Sequence, residues 1–318
     1  MTQPVSVVIP CLDDRDLLEK NLPPLLEELE GRALGDDVLI VDDTGKAVLE
    51  DWLAEHFPSV ACHSRPKNGG FAVALLDGVT RAKHALVFSM NPDVLVHRGF
   101  MDPLVACIED PEVHSVTPRV LLNGDEDTVE SVTEIFMRHG IGEVRQQGLE
   151  GKADYFTTQP IPVAYGIGGT LLMRRDEFVE SGGFDPIYEP FYWEDVDLGW
   201  MAWRSGGQVL YQPASVVEHH HRGTIGSRVP KDLVRAVIEK NRLLFQWKVM
   251  DTPEVLEKHV AALYRLAVDA WLGDQREELI WLTLALDQLK QVIKTRKALP
   301  GAVRDFEQIR RATGHELG

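Results

Sequence analysis

Short apolar runs alternate with longer stretches of helical spacing over the first 120 residues of the chain. Three runs rich in β-branched residues predict strands: Val5–Ile9, Val38–Val41 and Ala85–Met90. Between them, apolar residues recur at steps of three and four over Leu17–Leu29 and Phe71–Val79, which predicts helices. Apolar strands that alternate with helices indicate an α/β fold with a mostly parallel sheet and helices on both faces. Ligands of such sheets bind at the carboxyl ends of the strands.

The pattern changes after residue 120. Residues 121–165 are irregular and rich in Gly, Asp and Gln, which predicts long loops or an antiparallel excursion. From about Pro230 the spacing becomes helical, with one apolar stripe over Leu256–Trp271 and another over Leu279–Ile293. Gly223–Pro230 has the composition of a linker.

These changes of pattern predict two units. An α/β domain is expected over residues 1–225, with a first half over about 1–120 and a second half over about 121–225. A C-terminal helical region is expected over residues 226–318.

The charge of the chain is strongly acidic. The 33 Lys and Arg residues against 50 Asp and Glu give a net charge of −17, which argues against a general nucleic-acid binder. Residues 231–318 carry 15 basic and 13 acidic side chains, so the acidic excess lies in residues 1–230. A front part of this charge needs a bound cation if it is to hold a diphosphate.

Three cysteines are too widely spaced for a zinc knuckle or a redox pair: Cys11, Cys62 and Cys107. A sparse, odd set favours a reducing compartment. The opening residues show no signal peptide, and no apolar stretch reaches the roughly 18 residues that span a bilayer. We therefore expect a cytoplasmic protein.

Polar residues follow two of the predicted strands. Asp42 and Asp43 come directly after one strand, and Asn91 and Asp93 come after another. These positions place the side chains at the sheet edge where a ligand is expected. Capping of the following helices is the alternative interpretation.

An aromatic run leads into a pair of acids in the second half. Tyr192 and Trp193 precede Glu194 and Asp195, and aromatic rings offer flat apolar walls beside a carboxylate that can act as a general base. Acids that complement a helix dipole are the alternative, and both interpretations can hold together. On a helix Asp197 lies about 200° from Asp195, so the two cannot face one substrate.

Three histidines close another apolar run, at residues 219–221. Adjacent residues of a strand point to opposite faces, so only His219 and His221 can share a side. Structural histidines without a ligand are an equally weighted alternative.

Taken in order, these segments resemble the family 2 glycosyltransferases with a GT-A fold, particularly the branch with rhamnosyl- and galactofuranosyl-transferases. The resemblance covers about residues 4–250. The segments that carry it are Val5–Pro10, Ile40–Thr44, Asn68–Ala72, Met90–Val94, Gly168–Arg175, Gly182–Asp185, Glu194–Leu198 and Pro213–His219, with Asn241, Arg242 and Lys248 in the stretch that follows. Asn91 replaces the first acid of the family's Asp-x-Asp motif, and Lys46-Ala47 replaces its usual Ser-x-Asp.

The resemblance implies transfer of a sugar from a nucleotide diphosphate, with UDP- or dTDP-sugars favoured, to an acceptor hydroxyl with inversion. It implies Asp195 as general base with Glu194 beside it, and Asp93 with His219 as ligands of Mg²⁺ or Mn²⁺. The implied nucleotide-binding residues are Pro10, Asp42, Asp43, Asn68, Gly70 and Asn91. The implied acceptor-binding residues are Tyr192, Trp193 and Gly169.

The resemblance also implies a glycan or lipid-linked glycan as acceptor. Contact of the C-terminal helices with the inner face of the cytoplasmic membrane, a homo-oligomer through these helices, and simple packing on the catalytic domain all stay open. No GxGxxG follows the first strand, and Gly45-Lys46 lacks the rest of a phosphate-binding loop, which excludes a dehydrogenase and a kinase-like NTPase. A catalytically inactive GT-A-like module that binds a nucleotide or glycan remains the alternative.

Overall fold

The computed structural model describes residues 3–146, 158–220 and 229–314. The strands and helices predicted for the first 120 residues are confirmed. The strands are β1 (Val5–Cys11), β2 (Asp37–Asp42), β3 (Ala61–Ser64), β4 (Leu86–Met90), β5 (Val94–Val96) and β6 (Val113–Leu122). The helices are α1 (Arg15–Arg32), α2 (Glu50–His56), α3 (Phe71–Arg81) and α4 (Met101–Ile108).

The second half adds strands and two helices that complete the sheet. The strands are β7 (Asp125–Val129), β8 (Thr133–Arg138), β9 (Ile141–Gln146), β10 (Ile161–Pro162), β11 (Thr170–Arg174) and β12 (Gln208–His219). The helices are α5 (Arg175–Glu180) and α6 (Glu194–Arg204). Strands β8 and β9 form a separate antiparallel hairpin, so the irregular segment contains the antiparallel excursion that its composition allowed.

The large sheet is mixed rather than mostly parallel. Its strand order in the described residues is β10-β12-β6-β11-β4-β1-β2-β3, with β5 beside β12 and β7 beside β6. The pairs β4-β1-β2-β3 are parallel, as predicted, whereas β11 runs antiparallel to both β4 and β6. Strand β11 is entered from a turn at the carboxyl end of β4, because Met90 pairs with Thr170. The carboxyl ends of β1, β2 and β4 and the start of β11 therefore share one edge of the sheet.

The C-terminal region is helical, as predicted. Its helices are α7 (Lys231–Val249), α8 (Pro253–Leu272), α9 (Ile280–Asp287), α10 (Leu289–Ala298) and α11 (Phe306–Thr313). The second apolar stripe is divided between two helices that meet at Gln288. The predicted linker falls almost entirely on residues 221–228, outside the described residues, and so does His221.

The C-terminal helices contribute to the same core as the second half of the sheet. Phe306 of α11 is 1% exposed, and its ring centroid lies 4.8 Å from that of Trp200 in α6. Helix α7 supplies the fully buried Leu243 and Leu244. Helices α8 to α10 also leave apolar side chains exposed: Leu256, Val260, Tyr264, Leu266, Trp271, Leu272, Ile280, Leu286, Leu289 and Ile293. No described helix combines the length and the apolar character that crossing a bilayer requires.

Candidate active site

A turn at Gly168 and Gly169 leads into β11 beside the end of β4, and glycine is required there. The backbone N–H of Asn91 donates to the Gly169 carbonyl at 2.9 Å. A Cβ on Gly169 would lie 2.4 Å from Asn91 Nδ2, so a larger residue would displace the Asn91 side chain. Gly169, predicted to bind an acceptor, is buried and instead makes room for Asn91.

Asp42 ends strand β2, but its carboxylate is bonded within the chain. Asp42 is 0% exposed. It accepts from the N–H and hydroxyl of Thr44 at 2.9 and 2.5 Å, and from the N–H of Leu49 at 3.0 Å. The prediction that Asp42 contacts a nucleobase therefore does not fit this conformation, because the carboxylate is closed off from solvent. It stabilises the turn after β2.

Asp43 organises the loop that leads into α3. Its carboxylate accepts from the N–H groups of Gly69 and Gly70 at 2.9 and 2.8 Å, and from the Arg65 guanidinium. Asp43 is 3% exposed, so direct contact with a nucleobase does not fit this conformation either. Gly70 adopts φ +81° where α3 begins, a conformation that residues with a Cβ rarely adopt. Asp43 and Gly70 thus shape this loop from inside.

The other two residues predicted to bind the nucleotide differ in exposure. Asn68 is exposed on the loop that Asp43 holds, where a ligand can reach it. Pro10 is buried within β1 and pairs with Val41 of β2, so its side chain serves the sheet.

Asp93 and His219, predicted from distant parts of the sequence as metal ligands, lie side by side. His219 Nε2 is 3.3 Å from Asp93 Oδ1. Strand β12 brings them together, because His219 pairs with Val94 of β5 in the sheet. On the other side of the imidazole, Nδ1 lies 2.9 Å from Glu130 Oε2. A histidine that donates one N–H to a carboxylate directs its other nitrogen at a metal in many metal centres.

The donor set of this pair fits a divalent cation that is completed by diphosphate oxygens. One carboxylate and one imidazole suit Mn²⁺, and Mg²⁺ is also bound through few protein ligands together with phosphates. In residues 3–146, 158–220 and 229–314 no cluster of three or more metal-binding side chains occurs.

Electrostatics at His219 favour a positive charge. Burial lowers the pKa of the imidazole, but hydrogen bonds to Asp93 and Glu130 outweigh it and raise the pKa to about 9. Two carboxylates thus create a site that attracts a cation, and a metal ion would replace the imidazole proton in that role.

Helix α6 begins at the paired acids, and Asp195 faces the glycine turn. The Gly168 N–H lies 3.3 Å from Asp195 Oδ2, and the Val196 N–H donates to Oδ1 at 2.8 Å. Because Gly168 adjoins Gly169, which packs on Asn91, Asp195 lies at the same sheet edge as the end of β4. The structure thereby brings residues 91, 169 and 195 to one edge of the sheet.

Burial raises the pKa of both acids, Glu194 and Asp195. It raises the pKa of Asp195, although N–H groups of Gly168 and Val196 oppose it. Burial and the charge of Asp195 raise the pKa of Glu194 to about 8. Desolvation thus outweighs the effect of the positive end of the helix dipole on the pKa of Asp195. Glu194 Oε2 has no hydrogen-bond partner in the described part of the chain.

The two aromatic residues before this pair differ in role. Trp193 is 6% exposed, and its ring centroid lies 5.4 Å from that of Phe245 in α7. Trp193, predicted to bind an acceptor, is therefore a core residue. Tyr192 is 40% exposed, so its ring is accessible to a ligand.

Asp197 lies on the opposite side of α6 from Asp195, as their 200° separation requires. It accepts from Lys248 Nζ at 2.6 Å and from the Tyr188 hydroxyl at 3.0 Å. Lys248 also donates to Asp185 at 2.8 Å. This buried ion network ties α6 to α7.

Tyr165 links the two halves of the site. Burial and the nearby charges of Asp195 and Glu130 raise the pKa of its hydroxyl, which places the ring near both carboxylates. A Cβ on Gly199 of α6 would lie 2.6 Å from Tyr165, so this glycine allows the close packing. The bond from Asn91 to Gly169 and the bond from Gly168 to Asp195 place the general-base candidate beside the end of β4, and Asp93 follows Asn91 by two residues.

Sequence reasoning missed Glu130, Arg65 and Tyr165. Glu130 follows a short edge strand in an irregular segment, and Arg65 and Tyr165 lie in no recognisable motif. One signal could have pointed to Glu130: a histidine that binds a metal through one nitrogen usually donates its other N–H to a carboxylate or a carbonyl.

The chain is similar to a known protein family, to proteins of known name and to solved structures. The family model "Glycosyl transferase family 2" matches residues 6–180. A pre-mycofactocin glycosyltransferase of Mycobacterium tuberculosis is 27% identical over 221 residues, which are 69% of this chain and 43% of that protein. The chain therefore spans less than half the length of this relative.

Two solved structures share the fold. GalNAc-T7 with UDP, GalNAc and Mn²⁺ has a TM-score of 0.64 and 18% identity, over 94% of this chain and 58% of that one. A mannosyltransferase from Pyrobaculum calidifontis with GDP-Man and Mn²⁺ has a TM-score of 0.53 and 16% identity, over 93% of this chain and 87% of that one. Both share the α/β fold described above, and each similarity extends over most of this chain.

Proposed function

This chain belongs to glycosyl transferase family 2, and we propose that it transfers a sugar from a nucleotide-diphosphate donor to an acceptor hydroxyl with inversion. The observation that carries the proposal is the position of Asp195 and of the Asp93–His219 pair at the carboxyl end of β4, where Gly168 donates to Asp195 and Asn91 donates to Gly169. A single displacement needs one base and one means of stabilising the leaving diphosphate, and this edge offers residues for both.

Asp195 acts as the general base in this proposal. It deprotonates the acceptor hydroxyl, and its raised pKa makes it a stronger base than an ordinary aspartate. The N–H of Gly168 orients one carboxylate oxygen and the N–H of Val196 orients the other. Glu194 lies next in the chain and is the competing assignment.

Asp93 and His219 hold the divalent cation, Mg²⁺ or Mn²⁺. When bound, such a cation acts as a Lewis acid toward diphosphate oxygens and offsets the charge of the leaving group. The protein needs it because the acidic excess lies in residues 1–230. The Mn²⁺ in both structural neighbours supports this choice of chemistry.

The nucleotide lies, in this proposal, across the carboxyl ends of β1 and β2, against the loop around Asn68. Asp42 and Asp43 hold the walls of this pocket through the internal bonds described above. UDP- and dTDP-sugars remain the proposed donors. The two structural neighbours contain UDP and GDP-Man, so the choice of base belongs to the test below.

The proposed acceptor is a glycan or a lipid-linked glycan. The exposed Tyr192 gives it an aromatic surface beside Asp195. Free thiols at all three cysteines support a reducing, cytoplasmic location. The exposed apolar side chains of α8 to α10 support a contact surface, for a membrane or a second copy of the chain.

A donor panel tests the proposal. Purified protein is incubated with UDP-, dTDP- and GDP-sugars and with Mg²⁺, Mn²⁺ or EDTA, while thermal shift and release of nucleoside diphosphate are recorded. We expect one donor to stabilise the protein and to be turned over slowly by water, only with metal. Binding without any turnover of donor, with or without added glycan acceptors, would instead support the inactive binding module.

A further inference from the structure

The turn that precedes the paired acids is held in an unfavourable backbone conformation. Tyr192 has φ +69° and Trp193 has φ +78°, both in the left-handed region, and neither is glycine. Residues with a Cβ avoid this region, and two in succession persist only where surrounding contacts hold them. Helix α6 starts directly after this turn, so the turn fixes the residue at which the helix begins.

The contacts that hold the turn come from Asn241 in α7. Asn241 is 0% exposed, and its Nδ2 lies 2.6 Å from the Tyr188 carbonyl oxygen. The same nitrogen lies 2.9 Å from the carbonyl oxygens of Phe191 and Tyr192. One amide group thus draws three carbonyls of the segment together. Its own Oδ1 has no hydrogen-bond partner among residues 3–146, 158–220 and 229–314, so the side chain serves as a donor.

Two lysines of α7 fix the same segment on either side of this amide. Lys240 Nζ donates to the Glu189 carbonyl at 2.9 Å. Lys248 bridges Asp185 before the turn and Asp197 after it. The segment from residue 185 to 197 is therefore attached to α7 along its whole length.

The start of α6 decides which acid faces the glycine turn. Each residue of a helix advances by about 100°, so a shift of the start by one residue would turn Asp195 away from Gly168. The Trp193 carbonyl accepts the first helical hydrogen bond, from the Asp197 N–H at 3.0 Å. The register of this bond depends on the left-handed turn that Asn241 holds.

We propose that Asn241 is a positioning residue for Asp195, acting through the Tyr192–Trp193 turn. This inference rests on the proposed function, since it assumes that Asp195 is the general base. It assigns to helix α7 a part in the active site, although no side chain of α7 is proposed to touch the substrate.

The experiment compares two buried amides of the same helix. Asn241→Ala removes the contacts with the turn, whereas Gln246→Ala removes matched contacts between a 1% exposed amide and the backbone of Gly142 in the β8-β9 hairpin. We expect Asn241→Ala to lower kcat on the order of 10²-fold, as for a misplaced catalytic group, with donor KM within about twofold. Gln246→Ala is expected to lower thermal stability similarly but to keep kcat. Equal loss of kcat in both variants would overturn the inference.

A double variant separates positioning from general loss of structure. Residues that act through one group are strongly non-additive, so Asn241→Ala should slow the Asp195→Asn enzyme little or not at all. A full additional loss of rate would overturn the inference while leaving the proposed function intact. If Asp195→Asn itself keeps the wild-type rate, both the base assignment and the inference are overturned. Asn241→Ser, which keeps one donor, is used in the same cycle if Asn241→Ala does not fold.

Discussion

His219 Nδ1 lies 2.9 Å from Glu130 Oε2, on the opposite side of the ring from the nitrogen that faces Asp93. This contact determines how the imidazole can bind a metal. With Nδ1 donating to Glu130, Nε2 is directed toward Asp93, and the ring cannot rotate without losing the bond. Glu130 is therefore part of the proposed metal site although its carboxylate would not touch the ion.

Glu130→Gln should weaken binding of Mn²⁺ by about 10–100-fold, because the histidine loses the carboxylate that orients it and raises its basicity. Binding is measured by calorimetry in the presence of UDP. Glu126→Gln, on the exposed neighbouring strand β7, is the matched control and should leave affinity unchanged. Equal affinities in all three proteins would remove Glu130 from the site.

Binding of nucleoside diphosphate should depend on the metal and on Asp93. Because the acidic excess of residues 1–230 provides few cations for a diphosphate, EDTA and Asp93→Ala should each weaken the binding of UDP strongly. Cys62→Ala should leave it unchanged. Calorimetry with and without EDTA makes the comparison, and equal affinities would contradict the metal bridge.

Strands β1, β2 and β4 could be predicted because each one is an apolar run that is almost entirely buried, whereas the short, partly exposed β3 could not. The order of the sheet could not. Strand β11 runs antiparallel to β4, and periodicity carries no information about strand direction.

Only part of the candidate site could be predicted, because motifs identify residues at the ends of regular elements but not the loops that surround them. Asp93, Asp195 and His219 could be named as candidates from motifs, because each lies at the start or the end of a regular element. Trp193 is a core residue instead of a ligand because the left-handed turn points its ring at Phe245, and no sequence pattern of non-glycine residues signals such a turn. Burial of Asp43 equally depends on the later loop that carries Arg65, Gly69 and Gly70.

Truncation after Met250 should destabilise the protein rather than only remove a contact surface. The truncation removes Phe306, which packs on Trp200, and loss of a buried Phe side chain alone typically costs about 3–5 kcal/mol. We expect a lower Tm and aggregation. A stable, active, monomeric truncation would contradict this role of the C-terminal helices.

A surface variant tests the exposed apolar side chains separately from stability. Val260 and Tyr264, 58% and 74% exposed, lie one turn apart on α8. Replacing both by serine should leave Tm unchanged. If the surface binds a second copy of the chain, the variant should lose the self-association measured by light scattering. If the surface binds a membrane, the variant should lose sedimentation with anionic vesicles. If wild type and variant behave alike in both measurements, this surface has neither partner.

Asp195→Asn keeps the shape of the side chain and removes the proton acceptor, so transfer should fall on the order of 10²–10⁴-fold while donor affinity is retained. Glu194→Gln, measured in parallel, should transfer at a rate closer to that of the wild type. The reverse result would move the base to Glu194. Loss of transfer in neither variant would remove general-base catalysis from this segment.

The same substitution should stabilise the protein, in a manner that depends on pH. Burial raises the pKa of Asp195 in the folded state above that of an unfolded chain, where an aspartate titrates near about 3.9. Between these two values the folded state binds more protons than the unfolded state, so stability falls as pH rises through this window. Because asparagine carries no charge to bury, the stability of the Asp195→Asn variant does not fall in this way as the pH rises. The gain in Tm of Asp195→Asn over wild type should therefore be small near pH 4 and larger at pH 8, measured in thermal unfolding without metal. A gain that is independent of pH would show that Asp195 is not a strained, desolvated carboxylate, and the argument for its strength as a base would then fail.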